Sequence, residues 1–130
     1  KAVHRGELLL MTRINCVPVA ELSRQHLVAE YRELPRVFAL ACKAYDARRT
    51  VVAPAIYTLG TGHVKFFYQR LGYCRRRFHE LREEMLRRGY SPKYDSVPLP
   101  AVASAWWADW EPDAAAMNIN RQRILERTSK

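Results

Sequence analysis

No stretch of the 130-residue sequence approaches the roughly 18–20 apolar residues that cross a bilayer, which excludes a membrane-spanning helix. Leu8–Met11 is far too short for the apolar centre of a signal peptide, and no small-residue cleavage site follows it, which argues against secretion. Cysteine is scarce: Cys16, Cys42 and Cys74 are isolated and odd in number. Without a C-x-x-C pair they signal neither a zinc site nor a disulfide framework, and they read as small buried hydrophobes in a reducing compartment. The four histidines show no ligand spacing. His26 and Glu30 stand one helical turn apart, but two side chains alone rarely hold a metal, so no metal is expected. There is no internal repeat and no low-complexity linker, and the length suits one domain.

Acidic residues are also few. Asp and Glu total 13 against 22 Lys and Arg, a net charge of +9. The resulting pI near 9.9 points to a polyanionic partner, most often nucleic acid. Arginine supplies 17 of the 22 bases, and its planar fork suits phosphate and base edges better than the point charge of lysine. A GC-rich coding sequence would raise Arg and Ala without any function, and that reading competes.

The hydrophobic pattern predicts an all-α fold, a single compact domain of three main helices with irregular connections. The first helix runs from about Val19 to Lys43. Its apolar positions Leu27, Tyr31, Leu34, Phe38, Ala41 and Tyr45 recur at 3 and 4 and form a core face. Pro35 lies inside this pattern and should kink it. The second helix runs from about His63 to Arg88, with Val64, Phe67, Leu71, Cys74, Phe78, Leu81 and Met85 as its seam. Arg70, Arg75, Arg76, Arg77 and Arg82 fall on its exposed side. Gly72 inside this helix costs about 1 kcal/mol against Ala, and Gly89 is a natural stop. Residues 90–112 carry four prolines and three tryptophans and read as an irregular wrap anchored by Trp106, Trp107 and Trp110. A third helix, about Asp113 to Arg127, follows Pro112. Thr50–Ala53 is the sole strand candidate and reads as loop.

On the first helix, Gln25, Arg32 and Arg36 lie opposite the core face, with Glu33 and His26 further round. One carboxylate thus sits beside two guanidiniums on the solvent side of a basic protein. A solvated face with i,i+4 charge pairs would look the same. Against that stands the Arg-Glu-Leu-Pro-Arg cluster at the expected kink, and the cost of a lone acid on a phosphate-attracting surface.

Three blocks carry a resemblance. They are Thr12-Arg13-Ile14-Asn15, then Gln25-His26-Leu27, then Ala29-Glu30-Tyr31-Arg32-Glu33-Leu34-Pro35-Arg36-Val37-Phe38. Together they closely resemble the phage-type pyrimidine-dimer DNA glycosylase, the endonuclease V family for UV damage. Leu59-Gly60-x-Gly62-His63-Val64-x-Phe66-Phe67-Tyr68 and Arg88-Gly89 agree with it. Pro112, Ile119, Arg123, Glu126 and Arg127 match more weakly. The resemblance implies a repair enzyme that cuts the glycosidic bond of the 5′ base in a cis-syn cyclobutane pyrimidine dimer. It then nicks the strand by β-elimination. It implies Thr12, through its α-amine, and Glu33 as catalytic residues. It implies DNA contacts by Arg13, Gln25, His26, Arg32, Arg36, Arg123 and Arg127, with Lys43 and Lys93 aligned less securely. The partner implied is double-stranded UV-damaged DNA, met by a cytoplasmic monomer (nucleoid-associated in a bacterium) without a cofactor.

One departure bears on the chemistry. Residues 1–11, Lys1–Leu10 with Met11, precede Thr12 and turn its nitrogen into an amide, which forms no Schiff base. The expectation is that residues 1–11 are an extension and initiator Met outside the active enzyme, and that 12–130 form the helical domain. Two alternatives remain open: an abasic-site lyase without dimer specificity, and a non-catalytic DNA-binding module on the same scaffold.

Overall fold

The computed structural model describes residues 13–48 and 52–128, so Thr12, the expected extension 1–11 and part of the Thr50–Ala53 stretch lie outside the described residues. Helices α1 (Arg24–Glu33), α2 (Pro35–Asp46), α3 (His63–Phe66), α4 (Leu71–Arg87) and α5 (Ala114–Thr128) follow one another, with 3₁₀ turns at Val19–Glu21 and Ser104–Trp106. Among the described residues the only β-type pairing is an isolated bridge between Arg70 and Trp107. The fold is all-α, as expected, and no described helix is long and apolar enough to cross a membrane.

The expected first helix is two. Ser23 caps α1 by accepting the His26 N–H at 3.2 Å. Pro35 lacks an amide hydrogen and crowds the preceding turn, so α1 stops there and α2 restarts with Pro35 in its first turn. Leu34 between them keeps helical dihedrals, φ −54° and ψ −40°. The expected core face therefore stays aligned across the break: Leu27, Tyr31, Leu34, Phe38 and Ala41 are all buried. Tyr45 sits at the rim, edge-on to Trp106 at 5.2 Å.

The expected second helix is also interrupted. Arg70 leaves helical geometry at φ −133° and ψ 42°, which separates α3 from α4. The cause is the wrap. Its backbone docks on the first turn of α4, where Ala108 O accepts the Tyr73 N–H at 3.3 Å. That N–H has no partner within its own helix. Gly72 makes the approach possible, since a Cβ there would lie 2.4 Å from Trp107 O. The helix penalty of this glycine is thus offset by a contact no other residue allows. At the far end, Gly89 at φ 87° ends α4, with Tyr90 N–H on Met85 O at 2.8 Å and Gly89 N–H on Leu86 O at 3.0 Å. Arg88 then ties this end to the first 3₁₀ turn by donating to Leu22 O at 2.7 Å.

The seven seam residues from Val64 to Met85 are all buried, and the Tyr31 ring stacks on Phe78 at 5.2 Å, joining α1 to α4. Each fully buried Leu or Phe contributes about 1.5–3 kcal/mol. Trp110 seals the other side, 5.7 Å from Tyr57, 5.0 Å from Phe66 and 5.1 Å from Tyr73 between ring centroids. Asp113 is the cap of α5 rather than part of its first turn, accepting the Ala116 N–H at 2.8 Å. Cys16 and Cys74 are buried as expected, whereas Cys42 is partly exposed.

Arg77 corrects the sequence reading. It is not on the exposed side of α4. Its side chain is 3% exposed and pairs with the fully buried carboxylate of Glu30 on α1 at 2.8 Å. Burial disfavours the charge, yet the Glu30 carboxylate more than offsets it and holds the guanidinium above its ordinary pKa. Removing one partner of such a pair costs about 3–5 kcal/mol.

Candidate functional site

Ile14, Asn15, Cys16 and Val17 are buried, yet they belong to neither helix nor strand. A buried backbone must still find hydrogen-bond partners. Side chains supply them here. His63 Nε2 accepts the Ile14 N–H at 2.8 Å, and the Tyr57 hydroxyl donates to Ile14 O at 2.9 Å. The Tyr73 hydroxyl donates to Asn15 O at 2.9 Å. Asn120 Oδ1 accepts both the Cys16 and Val17 N–H groups, at 2.7 and 3.2 Å, and Arg77 donates to Val17 O at 2.6 Å. Asn15 completes the cradle, donating from Nδ2 to Glu30 at 2.9 Å and accepting from the Asn120 amide at 2.7 Å. Burial pushes the Cys16 thiol up to about 12, so it packs rather than reacts.

The cradled segment emerges at Arg13. There the backbone N–H reaches Glu33 Oε1 on α1, a long bond of 3.4 Å. Glu33 stands in the last turn of α1, just before the Pro35 break, and is partly exposed. Around it the charge is positive. Burial lowers the Arg13 pKa, and the charges of Arg123 and Arg127 lower it further, against the opposite pull of Tyr57 and Glu33. Burial likewise depresses His26, helped by Arg127 and Arg13. Arg13, His26, Arg123 and Arg127, from the amino-proximal segment, α1 and α5, thus lie close enough to act on one another, and Arg123 also pairs with Glu126 at 3.5 Å. Arg13 Nη1 is buried with no hydrogen-bond partner among the described residues.

The other expected contact residues spread along the outside. Gln25, Arg32 and Arg36 are exposed on α1 and α2, Lys43 is exposed near the end of α2, and Lys93 is exposed beyond α4. No hydrogen bond or ion pair among the described residues joins these five to Glu33. Arg32 lines a cavity of about 580 Å³ with Pro35, Tyr94, Ser96, Val97 and Pro98. Thr12 lies outside the described residues, one peptide unit before the Arg13 N–H that meets Glu33. No group of three or more His, Cys, Asp or Glu among the described residues could hold a metal ion. His26 and Glu30 do not approach a shared ligand: His26 Nδ1 lies 2.8 Å from Ser23 Oγ, and Glu30 is spent on Arg77 and Asn15.

Sequence reasoning missed Tyr57, Asn120 and the role of Asn15 in holding this segment. His63 stood in a recognised block without a role. The geometry therefore presents a buried arm leading to the Glu33 carboxylate, with basic side chains of α1 and α5 near Arg13. A family model described as pyrimidine dimer DNA glycosylase matches residues 11–96. The match covers well over half of the chain, includes the Arg13–Glu33 contact and stops before α5. The chain belongs to the pyrimidine dimer DNA glycosylase family.

Proposed function

We propose that this protein excises cis-syn cyclobutane pyrimidine dimers from double-stranded DNA and then cleaves the strand by β-elimination, with the α-amine of Thr12 as nucleophile and Glu33 as its partner. Residues 12–130 form the active domain, and removal of what precedes Thr12 frees the amine. The observation that carries this reading is the Arg13 N–H on Glu33 Oε1 at 3.4 Å. Thr12 is covalently joined to that nitrogen through its carbonyl carbon.

The chemistry follows from the groups. An α-amine has a pKa near 7.7–8.0, so roughly a third is free base at pH 7.5, against about 0.1% of an ordinary lysine. The amine attacks C1′ of the 5′ nucleotide and the pyrimidine leaves with the glycosidic electron pair. Loss of the amine proton and ring opening give an imine at C1′. The imine acidifies the C2′ proton, and its removal expels the 3′ phosphate. Glu33 stabilises the cationic sugar and imine and moves protons during ring opening. Arg13, Arg123 and Arg127 neutralise backbone phosphate near the cut, and Gln25, Arg32, Arg36, Lys43 and Lys93 extend the contact along the duplex. A dimer already weakens stacking and pairing, so bending the duplex there costs less, which favours the lesion.

Borohydride trapping tests this on a duplex containing one thymine dimer, comparing the chain that starts at Thr12 with the full chain. A covalent adduct with the Thr12 start alone is expected. Tight binding with no adduct from either form would replace this reading with that of a non-catalytic DNA-binding module.

A further inference from the structure

We propose that His63, seconded by Tyr57, is a positioning residue for the catalytic amine, fixing through Ile14 the short arm that carries Thr12 to Glu33. This rests on the reading of Thr12 as nucleophile. A neutral imidazole offers one donor and one acceptor. Nδ1 lies 2.8 Å from Thr58 O, which only accepts, so Nδ1 carries the proton. Nε2 is then the acceptor, and the Ile14 N–H occupies it at 2.8 Å. Both ring nitrogens have one partner each, and the partners demand the same tautomer.

The ring is also fixed in space. His63 is buried, edge-on to Tyr57 at 5.4 Å and to Phe67 at 5.6 Å. Gly62, at φ 92°, starts α3 and turns the chain so that His63 enters the interior. The Tyr57 hydroxyl takes the Ile14 carbonyl from the other side of the same residue at 2.9 Å. Ile14 is thus gripped at both backbone polar groups, and Arg13 at its N–H by Glu33. Between these grips and the amine stands a single residue, with a reach of about 3.6 Å. Without the Ile14 grip the arm slides along Glu33, and displacements near 1 Å cost about a hundredfold in rate. Burial keeps the imidazole neutral, with its pKa lowered to about 4, and the nearby Arg13 charge acts in the same direction.

The test uses the chain beginning at Thr12, with His63→Leu, which removes the acceptor, and His63→Gln, which returns an amide oxygen. Three quantities are measured: the single-turnover trapping rate on an abasic duplex at saturating protein, the Kd for that duplex, and hydrogen exchange at the Ile14 amide. His63→Leu is expected to slow trapping at least about tenfold with unchanged Kd and faster Ile14 exchange, and His63→Gln to recover most of the rate. Parent-like trapping by His63→Leu, with the Ile14 amide released, overturns the positioning role while leaving Thr12 in place. A parent chain that binds but does not trap overturns the nucleophile reading itself. If His63→Leu does not fold, Tyr57→Phe removes the other grip and keeps the ring. It too is expected to slow trapping at unchanged Kd, and a parent-like rate overturns the role of the grip.

Discussion

Residues 13–17 and 107–112 both lie against the helices without belonging to one, and they differ in how far ring packing helps to hold them. The first is tied through its backbone, donor by donor and acceptor by acceptor, to His63, Tyr57, Tyr73, Asn120 and Arg77. The second combines ring packing, with Trp107 6.1 Å from Phe38 and Trp110 among Tyr57, Phe66 and Tyr73, with bonds from the Tyr73 N–H to Ala108 O and from Arg76 to Asp109 and Trp110 O. Hydrogen bonds are directional and fix position within tenths of an ångström, whereas apolar burial rewards area with little regard to register. The polar tether is found where an arm must meet a carboxylate. The apolar strap is found where a core must be covered.

Substitutions in the two regions should therefore separate rate from stability. The largest effect is expected at the end of the tether. Glu33→Gln should lower cleavage of a dimer-containing duplex by about 10²–10⁴-fold with affinity kept or raised, and cleavage at the parent rate would remove Glu33 from the chemistry. Asn120→Ala strips the Cys16 and Val17 N–H groups of their acceptor, at about 1–3 kcal/mol for each, read by urea denaturation. It should also slow trapping per folded molecule, since the arm loosens. A smaller effect appears with pH. Below its ordinary pKa of 6.5 the unfolded His63 takes up a proton that the folded one refuses until about pH 4. Stability should therefore fall across that window as pH drops, by up to about 3 kcal/mol from this group. His63→Gln should flatten the difference, and an identical pH profile in parent and variant would contradict the buried neutral ring.

The strap should behave otherwise. Gly72→Ala improves helix propensity, yet its Cβ would lie 2.4 Å from Trp107 O. A net loss of about 1–3 kcal/mol is expected with the rate per folded molecule unchanged, and a gain in stability would mean that the strap does not dock there. The smallest effect belongs to single exposed bases. Arg36→Ala should weaken damaged-DNA binding by about 1 kcal/mol and reduce the salt slope by about one. Arg82, already engaged by Asp95 at 2.8 Å, should change neither when made Ala. Equal effects would take the reading face away from α1 and α2.

The contrast also explains what the sequence disclosed. Repeating apolar positions exposed the core seams of α1, α2 and α4, because burial on a helix has a period. Pro35 marked the break after Glu33, because its consequence is local. Arg77 misled because it lies roughly 80° from the middle of its seam, at the flank where a helix drawn alone cannot decide burial. Its fate is set by Glu30, which flanks the seam of the facing helix. The cradle was illegible for the same reason: its bonds join Ile14 to His63 and Asn15 to Asn120, and no spacing in the chain encodes them. Glu33 and the basic residues were named through family resemblance. The helical pattern alone showed only a carboxylate among bases.

The bond from Asn120 to Asn15 spans 105 positions of the chain. A ribosome making this protein releases the arm and the basic helices long before it adds α5. Until then the Cys16 and Val17 amides have no acceptor, and the arm beside Glu33 is not yet set. Most of the positive charge is thus made earlier in synthesis than the arm is set, while Arg123 and Arg127 arrive only with α5. A nascent chain ending before α5 would carry Glu33 and most of the basic residues, with the arm beside that carboxylate still unset.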